Sequence, residues 1–567
     1  MKVIDFLNAN CKHCYKCVRS CSVKAIRIKN AQAQIMDDHC VLCGHCLEVC
    51  PQNAKTFASD LDRVKDYLKQ GKKTIVSIAP SYLGILKYKH PGQVVDALLK
   101  LGFSEVRETS EGAAYVTEEY RKLLDEGKMD NIISTCCPSV NDLVEKYYPD
   151  LTPFMAPVVS PMIAHGMLIK ELHGPDVKVV FLGPCISKKE EAEKDERTKG
   201  YVDGVITFYE FKQWLDQENI DLLSCEPKPM SNPDPKINKL YPVRNGVVKS
   251  VLAKHSKDNY RKMFIDGIED CRELFESIEK GEVHHCFIEA NMCIGGCVKG
   301  SAIDKATVSR YQAYFDIEEQ VEYADPDYDP WDFKIPLEKS FYSRVVKERM
   351  PTEEEIQKVL KATGKYNKTQ ELNCGACGYG SCREKAIAVC QGKAEKEMCL
   401  PNAFEKAQSM SNVVLECTPN GVLVVDSDLK IMEFNQKAEE MFHLSRAEAI
   451  EKYIYEIMDP TNFSEVLESH KSILRKKEKM EEYQMMTLQT IVYIPEQESM
   501  LAIIQDITED EQELEKQYQL KMDTVEVAQN VIEKQMMVAQ EIAGLLGETT
   551  AETKVILNRL KRSILND

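Results

Sequence analysis

Between residues 72 and 345, short apolar runs alternate with helical stretches, the pattern of a parallel sheet covered by helices. The candidate strands are 74–79, 131–135, 178–182, 204–207 and 286–289. Four of the five run straight into an unusual segment: Ala79-Pro80-Ser81, Cys136-Cys137-Pro138, Gly183-Pro184-Cys185 and Met292-Cys293-Ile294-Gly295-Gly296-Cys297. Sites in open α/β sheets form beyond the carboxyl ends of strands, so these loops are expected to converge on one buried metal site. Later in the chain, strands are expected at 422–426, 430–435 and 502–508, with a helix at 436–442. From Glu509 onward there is no proline, and Tyr518, Val525, Ile532, Ala539 and Leu546 recur at a seven-residue spacing. Leu514, Ala528 and Ile542 occupy the companion positions, which also hold Lys521 and Gln535. This imperfect seam suggests a helical dimer stalk, with packing inside one chain as the alternative.

Length and charge narrow the picture. A chain of 567 residues exceeds one compact core and suggests three to five domains. A formal charge of -18 argues against a nucleic-acid partner, since phosphate binding needs clustered Lys and Arg. No apolar stretch approaches the roughly 20 residues of a membrane helix, and the first residues lead into cysteine motifs rather than a signal-peptide core. The cytoplasm is the expected location.

Twenty-two cysteines in such a chain call for metal ligation, because disulfides are disfavoured in reducing compartments. Most fall into groups of fixed spacing; Cys225, Cys271, Cys286, Cys390 and Cys417 stand apart and read as core or incidental thiols. The first group runs Cys11-x2-Cys14-x2-Cys17-x3-Cys21 and then Cys40-x2-Cys43-x2-Cys46-x3-Cys50-Pro51, with Ser22 where the second copy has proline. It resembles bacterial two-cluster ferredoxins. That resemblance assigns Cys11, Cys14, Cys17 and Cys50 to one [4Fe-4S] cluster and Cys40, Cys43, Cys46 and Cys21 to the other, an electron relay. Zinc is the competing chemistry, and this rhythm is poor zinc spacing. The last group, Cys374-x2-Cys377-x4-Cys382-x16-Cys399, resembles the single [4Fe-4S] domain of corrinoid iron–sulfur proteins and electron-transfer complexes, again with zinc as the alternative.

The central cysteine segments resemble the TSCCP, PCxxK and ExMxCxGGC signatures of the [FeFe]-hydrogenase family. The resemblance implies that Cys137, Cys185, Cys293 and Cys297 hold a [4Fe-4S] cluster and that Cys297 bridges to a two-iron subsite bearing CO, cyanide and a dithiolate. It further implies that Cys136 is the proton-transfer thiol, that Lys188 and Ser81 bond cyanide, and that Ala79, Pro80, Gly183 and Asn291 surround the cofactor. Such residue types suit the chemistry: thiolates bind iron, an ammonium stabilises an anionic ligand, and a titratable thiol handles a proton. Departures from the family pattern lie around the ligands. Gly183 and Asn291 replace methionines, Val140 replaces a tryptophan, and Val298-Lys299-Gly300-Ser301 lacks a glycine triplet. On the proton route, Glu119 matches the first carboxylate, while Ala156 and Lys122 stand for the next serine and glutamate. This pattern is similar to the sensory branch of the family and implies slow turnover.

Residues 403–508 look like a PAS domain, in which His443 reads as a surface or packed histidine. The expected fold is therefore multidomain α/β: a ferredoxin-like domain at 1–58, a hydrogenase-type domain at 72–345, a small Fe-S domain at 352–402, PAS at 403–508 and a helical segment at 509–567. The leading expectation is an H2 sensor with residual hydrogenase activity. It would require H2 or protons, maturases to install the two-iron subsite and a redox partner such as ferredoxin. With no ATP-binding domain, output would pass from a homodimer to a separate kinase or phosphatase. A ferredoxin-linked catalytic hydrogenase and an iron–sulfur scaffold without the two-iron subsite are the alternatives.

Overall fold

The computed structural model describes residues 2–7, 10–234, 236–253, 259–303, 309–321, 334–546, 555–556 and 558–561. The remaining parts of the expected 72–345 domain and of the C-terminal helical segment lie outside the described residues. The chain divides into two compact units, Met1–Asn402 and Ala403–Asp567.

In the first unit, the duplicated cysteine run forms two small antiparallel pairs. Ile4–Phe6 pairs with Lys55–Phe57, and Ile26–Lys29 pairs with Gln32–Ile35. Asn30 and Ala31 turn the hairpin at positive φ, as a two-residue hairpin loop requires. Each copy carries one short helix, Lys16–Arg19 or His45–Glu48, entered from a left-handed residue, Tyr15 or Gly44.

The expected single parallel sheet is two. Glu105–Glu108, Thr74–Ile78, Lys178–Gly183 and Gly204–Thr207 form one, in that order and all parallel. Arg261–Asp266, Cys286–Asn291 and Ile132–Ile133 form the other, also parallel. The split follows from separate cores: Val76, Val106, Val180 and Val205 pack in one, and Ile133, Phe275, Ile288 and Ala290 in another. Two strands, Glu105–Glu108 and Arg261–Asp266, carry charge within their runs and were not expected.

Beyond these two sheets, the helix Glu353–Ala362 packs against Cys382–Cys390 through Ile356, Leu360 and Ala386. The second unit contains a five-stranded antiparallel sheet in the order Ile431–Phe434, Gly421–Asp426, Ser499–Asp506, Met485–Ile494, Ile473–Met480. Asn435 caps the helix Gln436–Phe442 and also accepts the Val422 N–H at 2.8 Å. His443 ends that helix in a left-handed, exposed position. The helix Thr508–Leu546 follows, with Leu514, Tyr518 and Ile542 exposed. Among the described residues, no helix is long and apolar enough to cross a membrane.

Candidate metal centre

The carboxyl ends of both parallel sheets open onto one cavity of about 100 Å3. Its wall includes Ala79, Pro80 and Ser81 after one strand, Cys136 and Cys137 after another, Cys185 and Lys188 after a third, and Asn291, Cys293 and Cys297 after a fourth. Cys43 of the ferredoxin-like module completes it. The local geometry has simple causes. Pro138 starts the helix Pro138–Tyr147 at a position where its missing N–H costs nothing, with Cys137 as cap. Gly295 and Gly296 take positive φ in the last loop, and a side chain on Gly296 would strike the Pro242 carbonyl.

Gly183 lies beside this wall. A Cβ there would sit 2.5 Å from the Phe181 ring, and that ring itself lines the cavity. The bulk absent at Gly183 therefore comes from two residues upstream on the same face of the strand.

Burial pushes the thiols of Cys137, Cys293 and Cys297 up, and charge on neighbouring cysteines adds to the push. Cys185 acts on all three, and Cys43 on Cys293. Thiolates crowded in this way repel one another unless a cation is shared among them. Among the described residues, no three His, Cys, Asp or Glu side chains close on a point as a single ion needs. Four cysteine donors around one cavity suit an iron–sulfur cubane held by thiolates. Two further groups fit an anionic, ligand-rich cofactor. The Ser81 hydroxyl is fully buried and has no hydrogen-bond partner. The Lys188 ammonium donates to the Cys136 carbonyl at 3.1 Å and to Glu191 at 2.7 Å. Burial works against its charge, but Glu191 together with Cys185 and Cys136 outweighs burial and the net shift is upward.

Cys136 lines the cavity. Burial pushes its thiol up to about 12. Tyr120 accepts the Thr135 N–H at 3.0 Å, which leaves its O–H to meet the Cys136 Sγ at 3.1 Å. Tyr241, also in the wall, bonds Thr117 at 2.7 Å. Glu289 lies within electrostatic reach of Cys136, and burial pushes its carboxyl up to about 7 even though Val248 N–H and the Asn291 amide donate to it.

The structure does not bring Glu119 to the cavity. On the helix Ser110–Glu126 each residue turns about 100° from the last, so Tyr120 points inward while the half-buried Glu119 pairs with Lys122 at 2.7 Å. Tyr120, Tyr241, Phe181 and Glu289 are the residues that sequence reasoning missed. Only Glu289, the first letter of its cysteine signature, carried a readable signal.

The other sets gather separately. Cys11, Cys14, Cys17 and Cys50 line a second cavity. Cys21, Cys40, Cys43 and Cys46 lie within electrostatic reach of one another. In the third set, Cys377 lies near Cys399, which accepts from Lys365 at 3.3 Å; Cys382 heads the helix Cys382–Cys390, and Cys374 is exposed. Of the isolated cysteines, Cys225, Cys271 and Cys286 are buried, while Cys390 and Cys417 are exposed.

Residues 72–301 match the iron only hydrogenase large subunit, C-terminal domain. This region is an iron-only hydrogenase domain. Around it, residues 10–54 match a 4Fe-4S dicluster domain, 370–401 an Fe-S cluster domain and 410–514 a PAS fold. Iron hydrogenase 1 of Clostridium pasteurianum is 26% identical over 366 residues, 46% of this chain and 63% of its own length. The NADP-reducing hydrogenase subunit HndD of Solidesulfovibrio fructosivorans is 25% identical over 331 residues, covering 47% of this chain and 56% of its own. The cytosolic Fe-S cluster assembly factor NAR1 of Eremothecium gossypii is 35% identical over 101 residues, 18% of this chain and 22% of its own. Among solved structures, the [FeFe]-hydrogenase HydA1 of Chlamydomonas reinhardtii aligns at 18% identity with a TM-score of 0.41, over 51% of this chain and 100% of that one.

Proposed function

We propose that this chain oxidises H2 slowly at the cavity of the iron-only hydrogenase domain and passes the redox change toward its PAS and helical region, as a hydrogen sensor. The observation that carries this reading is the meeting of Cys137, Cys185, Cys293 and Cys297 with Cys136, Lys188 and the unpartnered Ser81 on one cavity.

In this reading the four thiolates hold a [4Fe-4S] cluster next to a two-iron group with CO, cyanide and dithiolate ligands. When bound, that group supplies the metal centre at which H2 is split into two protons and two electrons. The chain's own residues do the rest. Lys188 Nζ and Ser81 Oγ donate toward anionic ligands, and the apolar wall of Pro80, Met162, Phe181 and Met292 excludes water. Cys136 Sγ holds the proton, and the Tyr120 O–H fixes that sulfur in place. Asn291 and Gly183, in place of larger apolar side chains, favour slow turnover. Electrons leave through Cys43 and its neighbours toward a one-electron carrier such as ferredoxin. Maturases that install the two-iron group, a kinase or phosphatase that receives the output, and a homodimer built on the C-terminal helix complete the proposal.

The likeness to an assembly factor over 101 residues favours a second reading, a scaffold with plain clusters. Cys136, Lys188 and Ser81 weigh against it, since a plain cluster leaves them without work. The test is Cys136→Ala in matured protein. Dye-linked H2 oxidation should fall by about 100-fold or more, the scale of a lost acid–base group, with iron content unchanged. Unchanged turnover would remove Cys136 from the proton step. H2-dependent protease sensitivity of residues 403–567 should accompany native activity; its absence would reduce the chain to a catalytic hydrogenase.

A further inference from the structure

The third cysteine set docks on the ferredoxin-like module. One apolar core takes Val18 and Ile28 from the module and Tyr379, Ala388 and Met398 from the third domain. Backbone and charge reinforce the contact. Ile28 N–H donates to the Lys393 carbonyl at 2.9 Å, and the Arg19 guanidinium to the Ala376 carbonyl at 3.1 Å. The Glu395 carboxylate accepts from the Asn30 N–H at 2.6 Å and from the Ala31 N–H at 3.1 Å.

A close backbone approach lies at the step after Cys377. Gly378 has φ +93°, and a Cβ there would lie 2.8 Å from Val18 Cγ1 and 3.1 Å from the Arg19 nitrogen. Only glycine allows both the backbone conformation and the approach. The next residue, Tyr379, is 6% exposed, lies within electrostatic reach of both Cys377 and Cys21, and has a hydroxyl without a hydrogen-bond partner. A buried phenol left unpaired in an otherwise bonded interface is a donor waiting for an acceptor that the protein chain does not supply. Between two cysteine sets, cluster sulfur is the acceptor that fits.

We infer that the cluster held by Cys374, Cys377, Cys382 and Cys399 draws its electron from the cluster held by Cys21, Cys40, Cys43 and Cys46, across the seam where Gly378 meets Val18 and Arg19. The inference rests on the iron–sulfur reading of these cysteines and is independent of H2 chemistry. One electron leaves the reduced donor cluster, which is thereby oxidised by one, and enters the third cluster, which is reduced by one. No bond or proton moves, and any low-potential one-electron donor can supply the charge. The ferredoxin-like module is then a branch point: one path leads to the Cys11 set and an external carrier, the other to the third set. Tyr379 is a positioning residue whose O–H steadies the more negative, reduced state of the sulfur it meets.

The test uses the full chain, loaded with iron–sulfur clusters but without the two-iron group, titrated with dithionite and followed by electron paramagnetic resonance. Cys14→Ser combined with Cys185→Ser leaves only the donor cluster and the third cluster. Their reduced signals should split each other, and adding Cys382→Ser should collapse the spectrum to that of one isolated cluster. Unsplit signals from two loaded, reduced clusters would overturn the inference. Tyr379→Phe in the otherwise native chain guards against misfolding of the cysteine variants. It should leave iron content unchanged and lower the reduced-to-oxidised ratio of one of these two clusters about tenfold at fixed potential, or about 59 mV for a one-electron couple. Unchanged potentials for both clusters would also overturn it.

Discussion

The two cysteine sets of the ferredoxin-like module share one spacing and meet different surroundings. In the first set Cys14 is exposed and burial raises Cys17, while Cys50 is lowered because burial is outweighed by the N–H groups of Ala54 and Gln52 together with Lys55. In the other set, burial drives Cys40, Cys43 and Cys46 upward, Cys43 to about 12, and Cys43 reaches the wall of the central cavity. The left-handed residue that opens each short helix shows the same divide. It is Tyr15 in the first copy and Gly44 in the second, where a Cβ would lie 2.2 Å from the Ser301 Cβ. A motif repeated at one spacing has thus been fitted to two settings by what packs against it, one reaching the surface at Cys14 and one reaching the central cavity at Cys43.

The sharpest way to break this comparison is to remove one ligand from each set. Cys43→Ser should strip about four irons and reduce H2-linked electron transfer to a carrier by about 100-fold, whereas Cys14→Ser should strip a similar amount and leave reduction of a small dye within about threefold. Iron analysis with parallel carrier and dye assays decides it; a loss of dye reduction in Cys14→Ser as large as in Cys43→Ser would show that surroundings do not divide the two sets. Next in size is Gly44→Ala, which combines positive φ with a clash and should cost about 2–4 kcal/mol in denaturant unfolding, while Tyr15→Gly should stay within about 1 kcal/mol. A mild Gly44→Ala would mean that Ser301 moves freely.

A smaller effect belongs to Glu289. Its carboxyl titrates near 7 when folded against about 4.5 when unfolded, so the folded chain keeps a proton that the unfolded chain releases between these values. Stability should therefore fall as pH rises from about 4.5 to 7 and level off above, by a sum on the order of 3 kcal/mol before relaxation. Glu289→Gln should flatten that slope in unfolding curves taken from pH 5 to 8; an unchanged slope would assign it to another group.

Much of this architecture was legible because ligands must recur at fixed spacing and because loops after parallel strands converge. Cys137, Cys185, Cys293, Cys297, Cys136, Lys188 and Ser81 come from distant segments and share one cavity for that reason. What stayed hidden depends on facing and docking. One helix carries adjacent Glu119 and Tyr120, and only packing tells which turns inward. The division into two sheets rests on which of several similar Val- and Ile-rich runs pair, a choice made by long-range contacts. The seat of the third cysteine set on Val18 and Arg19 is signalled by nothing but Gly378.

Infrared spectroscopy of the matured chain tests the central claim most directly, because iron-bound CO and cyanide absorb where protein groups do not. The account predicts CO and cyanide bands that shift when H2 is admitted and that persist in Cys136→Ala. A matured, iron-replete sample with no such bands would contradict it and leave the scaffold reading in its place.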